Sequence, residues 1–191
     1  MTNFQPRTDR YGTVVAELLA ESRLPELGPG QPVSAVRHQL ESLTDQPLFE
    51  HRVVGDPQMA DCCRSGLWLW FDFLEESHTF SQKIPSSSGS FWHGIMHRRE
   101  TDYGNAKYWF RRVGSHPIYA TLSAVTPAMV EPHGLAPRDV LGNGSAWDAA
   151  RFVDLCEKAH GTSSPLEQAC RELAQVEWLL LFDYCYTAAC D

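Results

Sequence analysis

Four of the eight histidines in this 191-residue chain, His78, His93, His97 and His116, fall within 39 residues, where an even spread would put about 1.6. His93 and His97 stand four apart. On a helix that spacing puts both imidazoles on one face, one turn from each other, with Glu100 following on the same face. Such a pair can chelate one divalent metal. Upstream, Glu75 and His78 form an E-x-x-H pair, the i, i+3 spacing of carboxylate and imidazole used by carboxylate-bridged iron sites. If the loop over 81–90 folds the two segments together, Glu75, His78, His93 and His97 supply a ligand set for zinc, iron or manganese. Glu100 then serves as general base or as the group that orients a ligand. The zinc-protease pattern H-E-x-x-H is excluded, because Gly94 stands where its glutamate belongs.

A second chemistry overlaps the first. The block FWHGIMHRRETDYGNAKYWFRRVGSHP at 91–117 carries five Lys or Arg against two acids, a local charge of +3 in a chain whose net formal charge is −8. The basic groups are therefore segregated. Asn105 and Trp109, Lys107 and Arg111, and Tyr108 and Arg112 each lie four apart, so amide, cations and aromatics stripe one helix. Together with Arg98 and Arg99 they suit a small anionic molecule bearing phosphate or carboxylate. Three readings stay open: a metalloprotein, in the fullest form an enzyme acting on a small anionic substrate; a metal-free module that captures an anionic small molecule or acidic protein segment; and a polar structural network. In the last, the arginines pair with Asp72, Glu75 and Glu76, while His93 and His97 occupy a solvated polar face opposite Trp92, Ile95 and Met96. Asp183, set in LLLFDYCY, needs solvent or a cation and is a candidate partner for the arginine block. A further E-x-x-H at Glu157 and His160, with Glu100 and either Glu17 or Glu21, completes a di-iron inventory on paper. His160 beside Gly161 reads more simply as a cation near a helix end.

The string WHGIMHRRETDYGNAKYWFRRVGSHP, with LEESHTFSQ before it and LLLFDYCY after it, resembles an uncharacterised protein family found chiefly in bacteria, over roughly 60–187. The resemblance implies no activity, fold or ligand, and so carries no residue role onto this chain.

The elements that must position these residues read as helices. Val14, Leu18 and Leu19 recur at helical spacing in an amphipathic segment over 11–23, and a short helix follows over 33–43 before the break at Asp45-Gln46-Pro47. Asp56-Pro57 is an N-cap with proline at the first helical position. It opens a helix of about 25 residues that Gly66 can bend and whose Trp68, Trp70, Phe71 and Phe73 mark it as central. Ser90 and Asp102 cap helices over 91–100 and 103–113. Residues 126–145, rich in proline and glycine, read as a long loop, with a short strand near 118–125 as the main doubt. The segment from Ser145 to Asp148 opens a helix ending near His160, and Ser164-x-x-Glu167 is a capping box for the last helix, to about 187. The expected architecture is an all-α, single-domain helical bundle with long connecting loops. Its parts are N-terminal helices over 1–55, a central helix and His/Arg block over 56–117, and a helical pair over 145–187.

Composition narrows the remaining classes. A hydrophobic content of 43% with six tryptophans supplies one large core. The net negative charge argues against nucleic-acid or anionic-membrane partners. The chain has no run of 18 apolar residues, and MTNFQPRTDRYG lacks a leader pattern, so the expected location is cytoplasmic. Oligomeric state is not legible. The six cysteines contain no C-x-x-C pair and read as reduced, mostly buried thiols. Walker-type loops, G-x-G-x-x-G and G-x-S-x-G are absent, although a cysteine nucleophile stays open.

Overall fold

In a computed structural model of the chain, residues 8–50 and 52–191 are described; the first seven residues, where the leader pattern was sought, lie outside them. Among the described residues the protein is all-helical, with no strand. Eleven α-helices follow in order: α1 Thr13–Leu18, α2 Arg37–Glu41, α3 Asp45–Phe49, α4 Pro57–Trp70, α5 Leu74–Ser81, α6 Ser87–Arg99, α7 Tyr103–Val113, α8 Ile118–Val130, α9 Pro137–Leu141, α10 Ala149–Ala159 and α11 Pro165–Ala188. No helix among them is long and apolar enough to cross a membrane.

The N-terminal cap of α4 follows the sequence. Asp56 Oδ1 accepts from the backbone N–H groups of Gln58 at 2.9 Å and Met59 at 3.2 Å, with Pro57 at the first helical position. The expected 25-residue helix, however, is two helices. The break falls at Asp72, whose φ of 66° is left-handed, a conformation that aspartate tolerates better than most residues. Its carboxylate is then held by Arg99 at 2.7 Å and Arg23 at 2.9 Å, which compensates for the interrupted ladder. The helix runs unbroken through Gly66. A Cβ there would lie 2.8 Å from the Trp92 ring, so the glycine makes room for α6 to pack closely against α4.

That approach makes α6, rather than α4, the central helix. From Ser88 to Arg99 every residue of α6 is buried, with α4, α5 and α7 packed against it. Its cap is Ser86, whose Oγ accepts from Gly89 N–H at 3.2 Å, so α6 begins four residues earlier than the expected cap at Ser90.

In the middle of the chain one open alternative is closed and one expectation is corrected. Residues 118–125 are not a strand, and 126–145 are not one long loop: α8 runs through Pro127 to Val130, and α9 follows. Ile118, Leu122, Met129 and Val130 form a stripe of helical period, which α8 buries together with Thr126 where it meets α11. That shared apolar face outweighs the β-branched residues and the proline. At the N-terminal end, α1 is shorter than expected, and Asp45-Gln46-Pro47 starts α3 instead of breaking the chain. Proline is tolerated there because the first turn has no intrahelical use for its missing N–H.

The C-terminal pair forms as expected, with Asp148 as the cap of α10. Ser164 Oγ caps α11 at Glu167 N–H, but the Glu167 carboxylate reaches past the cap to Gly161 and Ser163 N–H, at 2.7 and 2.6 Å. Five of the six cysteines are buried, and all six are free thiols.

Candidate metal centre

His93 and His97 share one face of α6, as their spacing requires, and their ring centroids are 4.7 Å apart. The turn between α5 and α6 is tight enough to bring His78 onto the same face. It relies on Gly89, where a Cβ would stand 2.4 Å from the Ile84 carbonyl oxygen and 2.5 Å from its Cβ. The His78 ring centroid lies 4.7 Å from that of His93 and 5.5 Å from that of His97. One nitrogen from each imidazole falls within 4.8 Å of the others, so the three residues form a group that could hold a metal ion. Around a tetrahedral zinc with bonds of about 2.0 Å, ligand nitrogens lie about 3.3 Å apart, so modest side-chain rotation brings the rings into range.

The polar face of α6 is not solvated. Trp109 of α7 stacks on His93 with centroids 3.8 Å apart and planes 15° apart, and α5 covers the rest. His93 is 2% exposed, and neither of its ring nitrogens has a hydrogen-bond partner. Burial, and then the neighbouring imidazoles of His97 and His78, push its pKa from 6.5 down to about 3, so it is neutral at physiological pH and keeps a lone pair to donate. An unpaired buried polar group of this kind costs about 1–3 kcal/mol unless something completes it.

His97 is oriented by a carboxylate. Its Nδ1 lies 2.6 Å from Glu100 Oε1. Since a carboxylate accepts, the proton of this bond sits on Nδ1, and Nε2 is the nitrogen left for another partner. Carboxylate–imidazole pairs of this kind fix ring angle and tautomer in metal sites. Asp102 joins His97 and Glu100 in a second group of possible ligands, but it is exposed and already accepts from the Asn105 N–H at 3.0 Å and side-chain amide at 3.3 Å. Glu75 is exposed on α5 and lies outside both groups. His78, by contrast, is half-buried and gives the cluster its edge toward solvent.

The proposed anion stripe is divided. Arg98 is 2% exposed and forms an ion pair with Glu177 of α11, its guanidinium 4.7 Å from the Phe152 ring centroid. In this position it cannot join the solvent-facing cations. Arg99 is spent on Asp72 and on the Gly28 carbonyl. Lys107 pairs with Asp154 at 2.7 Å, and Asn105 with Asp102. Exposed on α7 are Tyr108, Arg111 and Arg112, with Arg112 packed 5.2 Å from the Trp109 ring. The reading in which Asp72, Glu75 and Glu76 all pair with the block holds for Asp72 alone, since Glu76 pairs with Arg37. Asp183 meets Arg10, not the block. The di-iron set does not assemble: His160 packs beside Gly28 and Tyr103 and is outside the imidazole cluster.

Two residues of consequence escaped the sequence reading. Glu177, in AQVEWLLLF, carries the same signal as Asp183, an acid in an apolar stretch, and it is the one that takes an arginine of the block, Arg98. Trp109 enters the sequence reading only as one of the aromatics of the 103–113 stripe, and nothing in its spacing shows that it would lie flat on His93. His116, the fourth histidine of the dense segment, is buried elsewhere, with Nε2 3.2 Å from Ser88 Oγ and Nδ1 accepting from Ile118 N–H at 3.4 Å. Compared with protein-family models, curated proteins and solved structures, the chain matches none.

Proposed function

We propose that this protein is a small helical metalloprotein whose ion is held by His78, His93 and His97, and that it acts as an enzyme on a small anionic substrate. The observation that carries the reading is His93: an imidazole buried to 2% exposure, with both nitrogens unpaired and two more imidazoles against it. Three imidazole nitrogen donors suit zinc and later first-row metals, with iron and manganese as weaker candidates for lack of a carboxylate in the cluster. Three protein ligands leave a coordination position open, the arrangement of catalytic rather than structural zinc, and such an ion supplies Lewis-acid chemistry.

The chain's own residues divide the work. Trp109 holds the plane of His93 and excludes water from it. Glu100 is a positioning residue that fixes His97 through Nδ1 and does not need to touch substrate. The half-buried side of His78 is the way in from solvent, and Arg111 and Arg112 on the neighbouring α7 bias that approach toward anions. Asn105, Lys107 and Tyr108 lie on the same helix and have at most a peripheral part, since two of the three already have partners among the acids.

The test is elemental analysis of protein purified without a histidine tag, wild type against His93→Phe. About one equivalent of zinc or a neighbouring metal per chain is expected in the wild type, and almost none in the variant. His93→Phe should remain folded, with metal-free stability within about 1 kcal/mol of wild type, because an unpaired polar ring is exchanged for an apolar one of similar shape. A folded wild type that neither carries nor takes up any divalent metal ends the proposal. Given a metal, hydrolysis of phosphate and carboxylate esters that ceases on chelation and returns on reloading supports the enzymatic part, and its absence reduces the centre to a binding site.

A further inference from the structure

Away from the histidines, the short helix α9, the loop after it, α10 and the first turn of α11 enclose a cavity of about 550 Å³ that opens to solvent. Three cations line it, Arg138, Arg151 and Lys158, and Leu135, Leu155 and Leu166 give it an apolar side. The only acid in the lining is Asp139, so its formal charge is +2 in a chain of −8.

The cations are not neutralised by the fold. Arg151 gives its donors to main-chain carbonyls, Nε to Val140 at 2.7 Å and Nη2 to Asp139 at 3.0 Å, so its guanidinium is held rigidly with no carboxylate against it. Arg138 and Lys158 are exposed and form no salt bridge among the described residues. Asp139 turns its carboxylate onto the Ala136 N–H at 2.7 Å, capping its own helix. Elsewhere on the surface acids do pair with the basic residues, as Arg64 does with Asp61 and Arg171 with Glu26. Here they do not.

We infer that this cavity is a second binding site, for a small organic anion that joins a carboxylate or phosphate head to a hydrocarbon portion. The head group meets two exposed cations, Arg138 and Lys158, which favour charge-assisted hydrogen bonds, beside the fixed positive charge of Arg151, whose Nε and Nη2 are held by main-chain carbonyls. The three leucines cover the hydrocarbon, and the volume lies within the usual range of small-molecule sites. A head group alone would leave the leucines wet, and a neutral chain would leave the cations unanswered. The inference uses no residue of the imidazole cluster and does not depend on a metal.

Hexanoate and phenyl phosphate are suitable probes, with hexanol and inorganic phosphate as controls, read by calorimetry at low salt. At least one of the two amphiphilic anions should bind more tightly than either control, and binding should weaken as salt is raised. In the Arg138→Gln/Lys158→Gln double variant its affinity should fall about tenfold, while metal content is unchanged. Which of the two binds identifies the head group. Should the double variant fail to fold, methyl NMR of the wild type decides: shifts at Leu135, Leu155 and Leu166 on adding the anion support the site. The inference is overturned if neither anion binds at millimolar concentration, if hexanol or inorganic phosphate binds as well as the tighter-binding anion, if the double variant binds unchanged, or if the shifts fall only elsewhere.

Discussion

Helix α6 presents two buried polar faces, and they are built differently. On one, Arg98 and Arg99 are buried among the core residues, yet each has a carboxylate against it, Glu177 and Asp72. On the other, His93 is just as buried and its two ring nitrogens meet nothing that can answer them. Burial of a charge is tolerated only when the protein supplies the opposite charge, and on this face it does: although Arg98 Nη1 and Glu177 Oε1 have no further hydrogen-bond partner, each guanidinium meets a carboxylate, and the pairs tie α6 to α11 and to Asp72 at the end of α4. The imidazole face leaves both nitrogens of its central ring unanswered and groups three residues that could hold a metal ion. A residue type therefore says less about function than whether its charge or lone pair meets a partner within the chain.

The comparison can be broken most forcefully on the arginine side. Arg98→Met leaves Glu177 buried without its partner and should cost about 3–5 kcal/mol in denaturant unfolding, whereas Arg98→Met/Glu177→Leu should recover most of that loss. If the single variant is nearly neutral, the ion pair is not what ties α6 to α11.

On the imidazole side the corresponding change should act on the ion and spare the fold. Glu100→Gln keeps a hydrogen-bonding group near His97 Nδ1 but removes the charge that fixes its tautomer. Metal affinity should drop about 10–100-fold, equivalent to about 1.4–2.7 kcal/mol, with little change in the thermal midpoint of the metal-free protein. Equal losses of metal affinity and metal-free stability would make Glu100 merely structural.

Acid should separate satisfied from unsatisfied imidazoles more gradually. Burial lowers the pKa of His116 from 6.5 to about 4, so as pH falls through 6.5 the unfolded chain takes up a proton before the folded one. Stability from this group is complete above pH 6.5 and is lost as pH drops toward 4. His93 adds a loss of the same sign, reaching lower pH. Unfolding free energy measured between pH 7 and pH 4 should fall, and His116→Leu should remove part of the slope. In the metal-loaded protein the fall should be steeper, because protons compete for the ligand nitrogens.

The smallest effect is expected at the surface pair of α7. Lys107 and Asp154 keep substantial solvent exposure, and Lys107→Ala should cost less than about 1 kcal/mol and shrink further in high salt. A large loss there would mean that the exposed side of α7 is more than a solvated face.

Local signals account for much of what could be read in advance. Asp56-Pro57, Asp102 and Ser164-x-x-Glu167 announced helix starts, because a cap acts through its own side chain on the backbone two or three residues away. The i, i+4 spacing of His93 and His97 was enough to put them on one face. Where reading failed, the deciding contact was distant in sequence: Asp72 breaks the α4–α5 segment and is held by Arg99 and Arg23, and α8 is a helix in spite of Pro127 because α11 offers it an apolar face.

The candidate centre divides the same way. By itself the chain determined the dense histidines, their helical spacing, the reach of Glu100 to His97 three residues before it, and an all-helical architecture, since these depend on the short-range geometry of a helix. Only the tertiary structure decided that His78 would join and Glu75 would not, that Trp109 would lie on His93, and that Arg98 would turn inward to Glu177. Those outcomes depend on which faces of separate helices meet, and that is settled by the packing of the whole core rather than by any local pattern.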